Sequence, residues 1–226
     1  MESPRSPPPP KPFTALEHST DAKFHLLLAC TGSVATIKLP LIASTLSERY
    51  GNTLSIHVIL TSSAAKFLQN PFNIEGVHRV WTDDDEWSFP HNKSGTWERG
   101  DPVLHIELRR WADMMVIAPL SANSMAKVVG GLCDNLLLSV ARAWDTTVQP
   151  GSAGKKIIVA PAMNTAMWNH PVTAQHIATL EKWEWMEVLR PVEKTLACGD
   201  IGAGAMREWQ DIVALVEENS GLSLSS

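Results

Sequence analysis

A chain of 226 residues that is 44% hydrophobic has apolar material for one ordinary core, and its net charge of -5 comes from signs mixed along its length. No basic run could neutralise a series of phosphates, and no apolar run approaches the roughly 20 residues that cross a bilayer, so neither nucleic acid nor membrane is an expected partner. Three widely separated cysteines, Cys30, Cys133 and Cys198, form neither a disulfide framework nor a CxxC metal site, which fits a reducing, cytoplasmic compartment.

The chain opens with Pro4, Pro7, Pro8, Pro9, Pro10 and Pro12, unlike a secretory signal or a transit peptide, and residues 1–22 read as a disordered, polyproline-prone tail. A single domain is expected over 23–219, with 220–226 as a short flexible tail. Residues 25–30 read as a buried strand running into Thr31-Gly32-Ser33, and Ala35, Leu39, Ile42 and Leu46 then recur at helical spacing up to Tyr50-Gly51. Pro40 falls inside that helix and should kink it. A second strand, 54–60, leads to Thr61-Ser62-Ser63 and a short helix through Leu68. Residues 83–101 read as a long polar loop whose acidic run, Asp83-Asp84-Asp85-Glu86, is a solvated surface. A third strand, 114–118, leads to Pro119-Leu120-Ser121-Ala122-Asn123, and 147–154 reads as a variable surface insertion. The fourth strand, 156–160, precedes Pro161-Ala162-Met163-Asn164-Thr165-Ala166-Met167-Trp168, and 186–189 is a weaker fifth. The alternation of strand, small polar turn and helix predicts an α/β fold, a parallel sheet with helices on both faces.

Ligands of open α/β sheets bind where strands end, so the chemistry is sought there. Gly32-Ser33, Thr61-Ser62-Ser63 and Ser121-Ala122-Asn123-Ser124 would converge on one rim, where glycine allows close approach, hydroxyls donate to phosphate oxygens and helix N-termini favour anions. The same residues serve as ordinary N-caps. No GxGxxG follows the first strand, which disfavours a pyrophosphate-bridged dinucleotide and a nicotinamide-dependent oxidoreductase; a monophosphate such as FMN fits better. His105, just before the third strand, is either a base or a structural histidine, and Arg110 could bind a carboxylate bidentately. Cys198 lies in a span with Gly199, Gly202 and Gly204, where a thiol can approach a ligand or be incidental, whereas Cys30 and Cys133 fit buried structural positions. No residue set points to a metal.

Taken together, Thr31-Gly32-Ser33-Val34-Ala35, Asp101-Pro102-Val103-Leu104-His105-Ile106, Ala118-Pro119-Leu120-Ser121-Ala122-Asn123, Arg142-Ala143-Trp144-Asp145, Pro161-Ala162-Met163-Asn164 and Cys198-Gly199-Asp200 resemble, in this order, the homo-oligomeric flavin-containing cysteine decarboxylase family. The resemblance runs from about His25 to Val216. It implies a Rossmann-like (flavodoxin-like) fold and a homotrimer with FMN at the subunit interfaces. The implied reaction converts 4'-phosphopantothenoylcysteine to 4'-phosphopantetheine in coenzyme A biosynthesis, by oxidation to a thioaldehyde, loss of carbon dioxide and re-reduction of the ene-thiolate. On the family pattern Gly32, Ser33, Val34, Ser62, Ser63, Ser121, Ala122, Asn123, Ser124, Arg142 and Ala143 contact FMN, and Met167 covers the flavin from a neighbouring subunit. His105 and Cys198 are the catalytic pair, Cys198 as proton donor, while Asn164, Arg110, Ala197 and Met206 serve the substrate.

One departure is Glu193-Lys194-Thr195, which keeps a single basic residue where family members often carry two. A peptide-cysteine decarboxylase of the same family would lack the cysteine loop. A non-catalytic, phosphatase-inhibiting relative tends to have a long acidic tail and to lose the histidine or the cysteine, so a phosphatase partner or a heteromeric trimer is the alternative reading.

Overall fold

The computed structural model describes residues 11–88, 95–147, 154–195 and 201–222. In chain order the elements are β1 (Phe24–Cys30), α1 (Leu39–Tyr50), β2 (Leu54–Leu60), α2 (Ser62–Ala65), β3 (Arg79–Trp81), α3 (Asp83–Glu86), α4 (Leu104–Trp111), β4 (Met114–Leu120), α5 (Ala122–Gly130) and α6 (Leu136–Arg142). They continue with β5 (Ile157–Pro161), α7 (Thr165–Trp168), α8 (Pro171–Leu180), β6 (Met186–Val188), β7 (Val192–Thr195), β8 (Ile201–Ala205) and α9 (Trp209–Ser220). Six strands form one parallel sheet in the order β3-β2-β1-β4-β5-β6, and β7 and β8 pair as a separate antiparallel hairpin. This is the Rossmann-like order, in which the direction of strand addition switches between β1 and β4 while every pair stays parallel.

Alternation along the strands explains why both faces carry helices. Leu26, Leu28, Ile56, Val58, Val116 and Ile158 point to one face, against Leu39, Ile42 and Leu46 of α1 and Ile212, Val213 and Val216 of α9. Leu27, Ile59, Ile117 and Val159 point to the other, against Leu108 of α4, Met125 of α5, Leu137 of α6 and Ile177 of α8. Truncating one of these fully buried leucines to alanine should cost roughly 2–5 kcal/mol. Among the described residues no helix is long and apolar enough to cross a membrane.

The fold corrects several expectations. Pro40 kinks nothing: Val34–Lys38 forms a separate 3-10 turn, and Pro40 sits in the first turn of α1, where its missing N–H has no partner to lose. The strand β3 is too short and too mixed to announce itself, and β4 runs two residues further than expected. The second half of the supposed tail is structured: Ala15–His18 is a 3-10 turn, the Ala15 N–H donates to a Glu107 carboxylate oxygen at 2.8 Å, and Phe13 packs edge-on to Trp81. The acidic run is no solvated surface, for Thr82 and Asp85 form a capping box on α3 and Glu86 is only 4% exposed. Cys30 is buried, and burial pushes its thiol pKa far up, whereas Cys133 is exposed against expectation. Residues 1–10, most of the insertion at 148–153, and the tail beyond 222 lie outside the described residues.

Candidate active site

Four strand ends build the site. After β1, Thr31 ties that strand to β4: its hydroxyl donates to the Pro119 carbonyl at 2.9 Å and accepts from the Ser121 N–H at 2.7 Å. Ser33 caps the following 3-10 turn, its Oγ accepting from the Ala35 N–H at 3.4 Å. Beyond β2, Thr61 caps α2 by accepting from Ala64 at 3.2 Å, and beyond β4, Ser121 caps α5 by accepting from Ser124 at 3.3 Å. Asn164 follows β5 and caps α7, its Oδ1 accepting from the Met167 N–H at 2.9 Å. The N-cap reading and the ligand reading are therefore both served: the capping oxygens are spent on backbone, while Ser62, Ser63 and Asn123 are exposed on the rim.

Between these ends, at the reversal point of the sheet, lies a cleft of about 740 Å³. It is lined by Gly32, Ser33, Val34, Ser62, Ser63, Ser121, Ala122, Asn123, Ser124, Asn164, Met167 and Met206; Met167, expected to reach a neighbouring subunit's flavin, lines the cleft of its own chain. Its volume suits a cofactor-sized ligand. Two glycines set its shape. A Cβ on Gly32 would come within 2.6 Å of the Ser63 hydroxyl oxygen, so the turns after β1 and β2 touch only because that carbon is absent. Gly204 has φ +117°, and its Cβ would meet the Met163 carbonyl oxygen at 2.6 Å; this contact lets the hairpin strand β8 seal the cleft beside β5, with the Met163 N–H donating to the Gly204 carbonyl at 2.9 Å.

Sequence reasoning missed part of the lining. Lys38, Lys127 and Arg207 bring positive charge, and Ile37, Phe67 and Trp209 bring apolar surface. Lys127 is held by Asp134 at 2.5 Å and Arg207 by Asp211 at 2.6 Å. The spacing of Ile37 and Lys38 after the first turn was the available signal for those two. Arg207 and Trp209 reach the cleft through the hairpin, which no local pattern marks. Around the mouth Val34, Ile37, Phe67 and Met167 are left exposed, Met167 by 51%.

Other expected site residues lie outside this cleft. His105 is on α4, where its Nδ1 is hydrogen-bonded to Oε1 of the buried Glu86. Glu86 stands one turn beyond Asp83, which lines the cleft and accepts from the Leu136 N–H at 2.9 Å, so the pair sits beside the opening. Arg110 faces elsewhere, donating to Glu107 at 2.8 Å. Arg142 lines a separate hollow of about 240 Å³ with Trp144, Trp183 and Trp185, and Ala143 caps the end of α6 beside it. Ala197 and Cys198 lie outside the described residues, between β7 and β8.

Comparison with known proteins places this arrangement. The family model described as Flavoprotein matches residues 14–221. The chain is 44% identical over 210 residues to phosphopantothenoylcysteine decarboxylase of Mus musculus, covering 92% of this chain and 93% of the relative. It spans about a third of the length of two longer fungal relatives, 36% and 31%, at 45% and 44% identity. A cysteine-to-serine mutant of PPC decarboxylase, complexed with pantothenoylaminoethenethiol, superposes with a TM-score of 0.74 at 44% identity over 87% of this chain and 98% of that one. The FMN binding protein AtHal3 superposes with a TM-score of 0.73 at 43% identity over 89% and 98%.

Proposed function

The chain belongs to the flavoprotein family, and from that premise we propose that it decarboxylates 4'-phosphopantothenoylcysteine to 4'-phosphopantetheine in coenzyme A biosynthesis, with FMN as cofactor. The observation that carries this reading is the cleft at the β1/β4 reversal, ringed by four capped strand ends and continued by an apolar rim. The residues fit FMN: the Ser62, Ser63 and Asn123 side chains and the first-turn N–H groups of α5 suit a phosphate, and Val34, Met163 and Met206 suit a flat apolar ring system. When bound, FMN supplies the two-electron redox chemistry that gives the departing carboxylate's electrons an acceptor.

The residues of the chain then bind, orient and move protons. Because Asn164 Oδ1 is tied to the Met167 N–H, its amide NH2 is the group left to donate to the substrate's carboxylate or amide. His105 is held by Glu86, which fixes the ring and the tautomer, so the opposite ring nitrogen is the one presented to substrate. Cys198 is the proton donor of the last step, with Ala197 and Met206 against the substrate. The working assembly is a cytoplasmic homotrimer. Arg110, Arg142 and Ala143 lie outside the cleft of their own chain while His105 sits beside its opening, and the exposed apolar rim with Met167 supports a subunit interface at the FMN site.

The test gives the purified full chain the substrate and follows product mass. Loss of carbon dioxide with no net oxidation is expected; Cys198→Ser accumulates a product two hydrogens poorer, and His105→Asn makes almost none. Glu86→Gln, acting only through His105, lowers kcat by roughly ten- to a hundredfold and alters the pH profile of kcat without loss of FMN. A Cys198→Ser variant that gave normal product at the normal rate would end the assignment of that residue.

A further inference from the structure

We propose that the chain carries a second site, for a dication of the zinc type, formed by His18, Asp21 and His25 where the amino-terminal segment enters β1. Asp21 Oδ2 lies 3.1 Å from His25 Nε2 and 3.5 Å from His18 Nδ1, and the three ligand atoms all lie within 4.8 Å of one another. A tetrahedral zinc with bonds of about 2.0–2.2 Å holds its ligand atoms roughly 3.3–3.6 Å apart, so the edge to His18 already has the required length and the edge to His25 needs to open by only a few tenths of an ångström. Two imidazoles and a carboxylate suit zinc, cobalt, nickel or copper; magnesium and calcium prefer all-oxygen shells.

The surroundings are built for such a role. Asp21 Oδ1 is taken by the Lys23 N–H at 3.1 Å, which turns Oδ2 toward both histidines. The bend that brings Asp21 back over His25 passes through Ala22 at φ +57°, a left-handed conformation that costs a residue with a side chain on the order of 1 kcal/mol and persists only where its neighbours hold it. On the far side of the His25 ring, the Asp113 carboxylate lies 3.6 Å from Nδ1 and also accepts the His25 backbone N–H at 2.8 Å. A carboxylate on the second ring nitrogen is the outer partner that fixes tautomer and raises basicity in metal-binding histidines. Trp111 lies against the His25 ring at 4.7 Å between centroids and walls that side with apolar surface. The cation takes the place of the proton between His25 Nε2 and Asp21, and three protein ligands leave a fourth position for water.

The site lies apart from the cleft and does not rest on the decarboxylase reading. Chelator-stripped full-length protein, loaded with FMN, is titrated with Zn²⁺ against a chromophoric competitor, and with Co²⁺ to read the visible bands of a low-coordinate ion. One equivalent should bind. His18→Ala and Asp21→Asn should each weaken it at least tenfold and abolish the cobalt bands, with Asp113→Asn about tenfold weaker. Unchanged flavin absorbance shows that His18→Ala is folded, and the nearly isosteric Asp21→Asn decides if it is not. Absence of binding at micromolar Zn²⁺, or binding that neither variant weakens, overturns the proposal.

Discussion

At the carboxyl ends of β1, β2, β4 and β5 the chain places Ser33, Thr61, Ser121 and Asn164, whose capped partners lie two or three residues away. Toward the amino end of β1 and the middle of β2 it places His25, which packs on Trp111 and whose backbone N–H donates to Asp113, 88 residues away, and His57, which packs with Phe13, Trp81 and Trp111 and bonds Trp81, 24 residues away. Short-range caps satisfy backbone without filling space, so that end stays open and becomes a cleft. Rings drawn from distant segments fill space, so the other end closes. One end is thus specified for the cofactor and the other chiefly for stability, and each prediction below perturbs one end while reading out both.

The largest effect is expected at the open end. Gly204→Ala forces a Cβ into the Met163 carbonyl at a φ that side chains avoid, and should cost more than about 3 kcal/mol or displace β8 and release FMN. Flavin absorbance after gel filtration and urea denaturation measure the two. An alanine variant with parent-like flavin and stability would show that the hairpin does not seal the cleft.

Next comes acid sensitivity at the closed end. Burial, with smaller contributions from His78, His18, Arg79 and His25, lowers the His57 pKa to about 3, and its Nδ1 accepts from Trp81 Nε1 at 3.2 Å, which only an unprotonated nitrogen can do. Its stabilisation is present above the unfolded value of about 6.5 and is lost as pH falls toward the folded one. Between pH 6.5 and 4 the loss should reach about 2–3 kcal/mol, and His57→Gln should remove most of that slope. Equal slopes in both proteins would place the acid sensitivity elsewhere. A smaller effect follows from Phe13→Ala, which removes a half-buried ring from the cluster and should cost about 2 kcal/mol, or roughly 4–8 °C in Tm, with FMN affinity and kcat unchanged. Loss of FMN in that variant would mean that the two ends are coupled.

The same contrast explains what could be read in advance. Gly32-Ser33, Thr61-Ser62-Ser63, Ser121 to Ser124 and Asn164 were legible because capping chemistry is local and leaves its residue types at fixed offsets from an apolar run. Glu86 was misread as solvated and residues 13–18 as tail because the Glu86–His105 pair and the Ala15–Glu107 bond span 19 and 92 residues, and no periodicity encodes a contact of that range. Pro40 misled for the opposite reason: a proline at the start of one helix and a proline inside a longer one give the same spacing of apolar residues, and only the 3-10 turn at Val34–Lys38 separates them. Lys127 and Arg207 escaped because their ion pairs with Asp134 and Asp211 read as surface charge.

The smallest effect is the most discriminating within the closed end, because His25 and His57 share a wall at Trp111 and respond to pH in opposite directions. Burial alone would lower the His25 pKa, yet its bonds to Asp113 and Asp21 outweigh that and hold it raised, while the same bonds to His25 overcome burial to keep both carboxyls low. A raised histidine contributes stability that is fully present below about pH 6.5 and is lost as pH rises through its folded value; the lowered carboxyls contribute above about 3.8 and fail only in stronger acid. With chelator present, stability should therefore decline on the alkaline side by about 0.5–1 kcal/mol between pH 6 and 8, because the pairs are partly exposed. His25→Gln should flatten that decline while leaving the acid slope of His57 intact. An alkaline decline that survives in His25→Gln would mean that the amino-terminal segment is held by its rings alone.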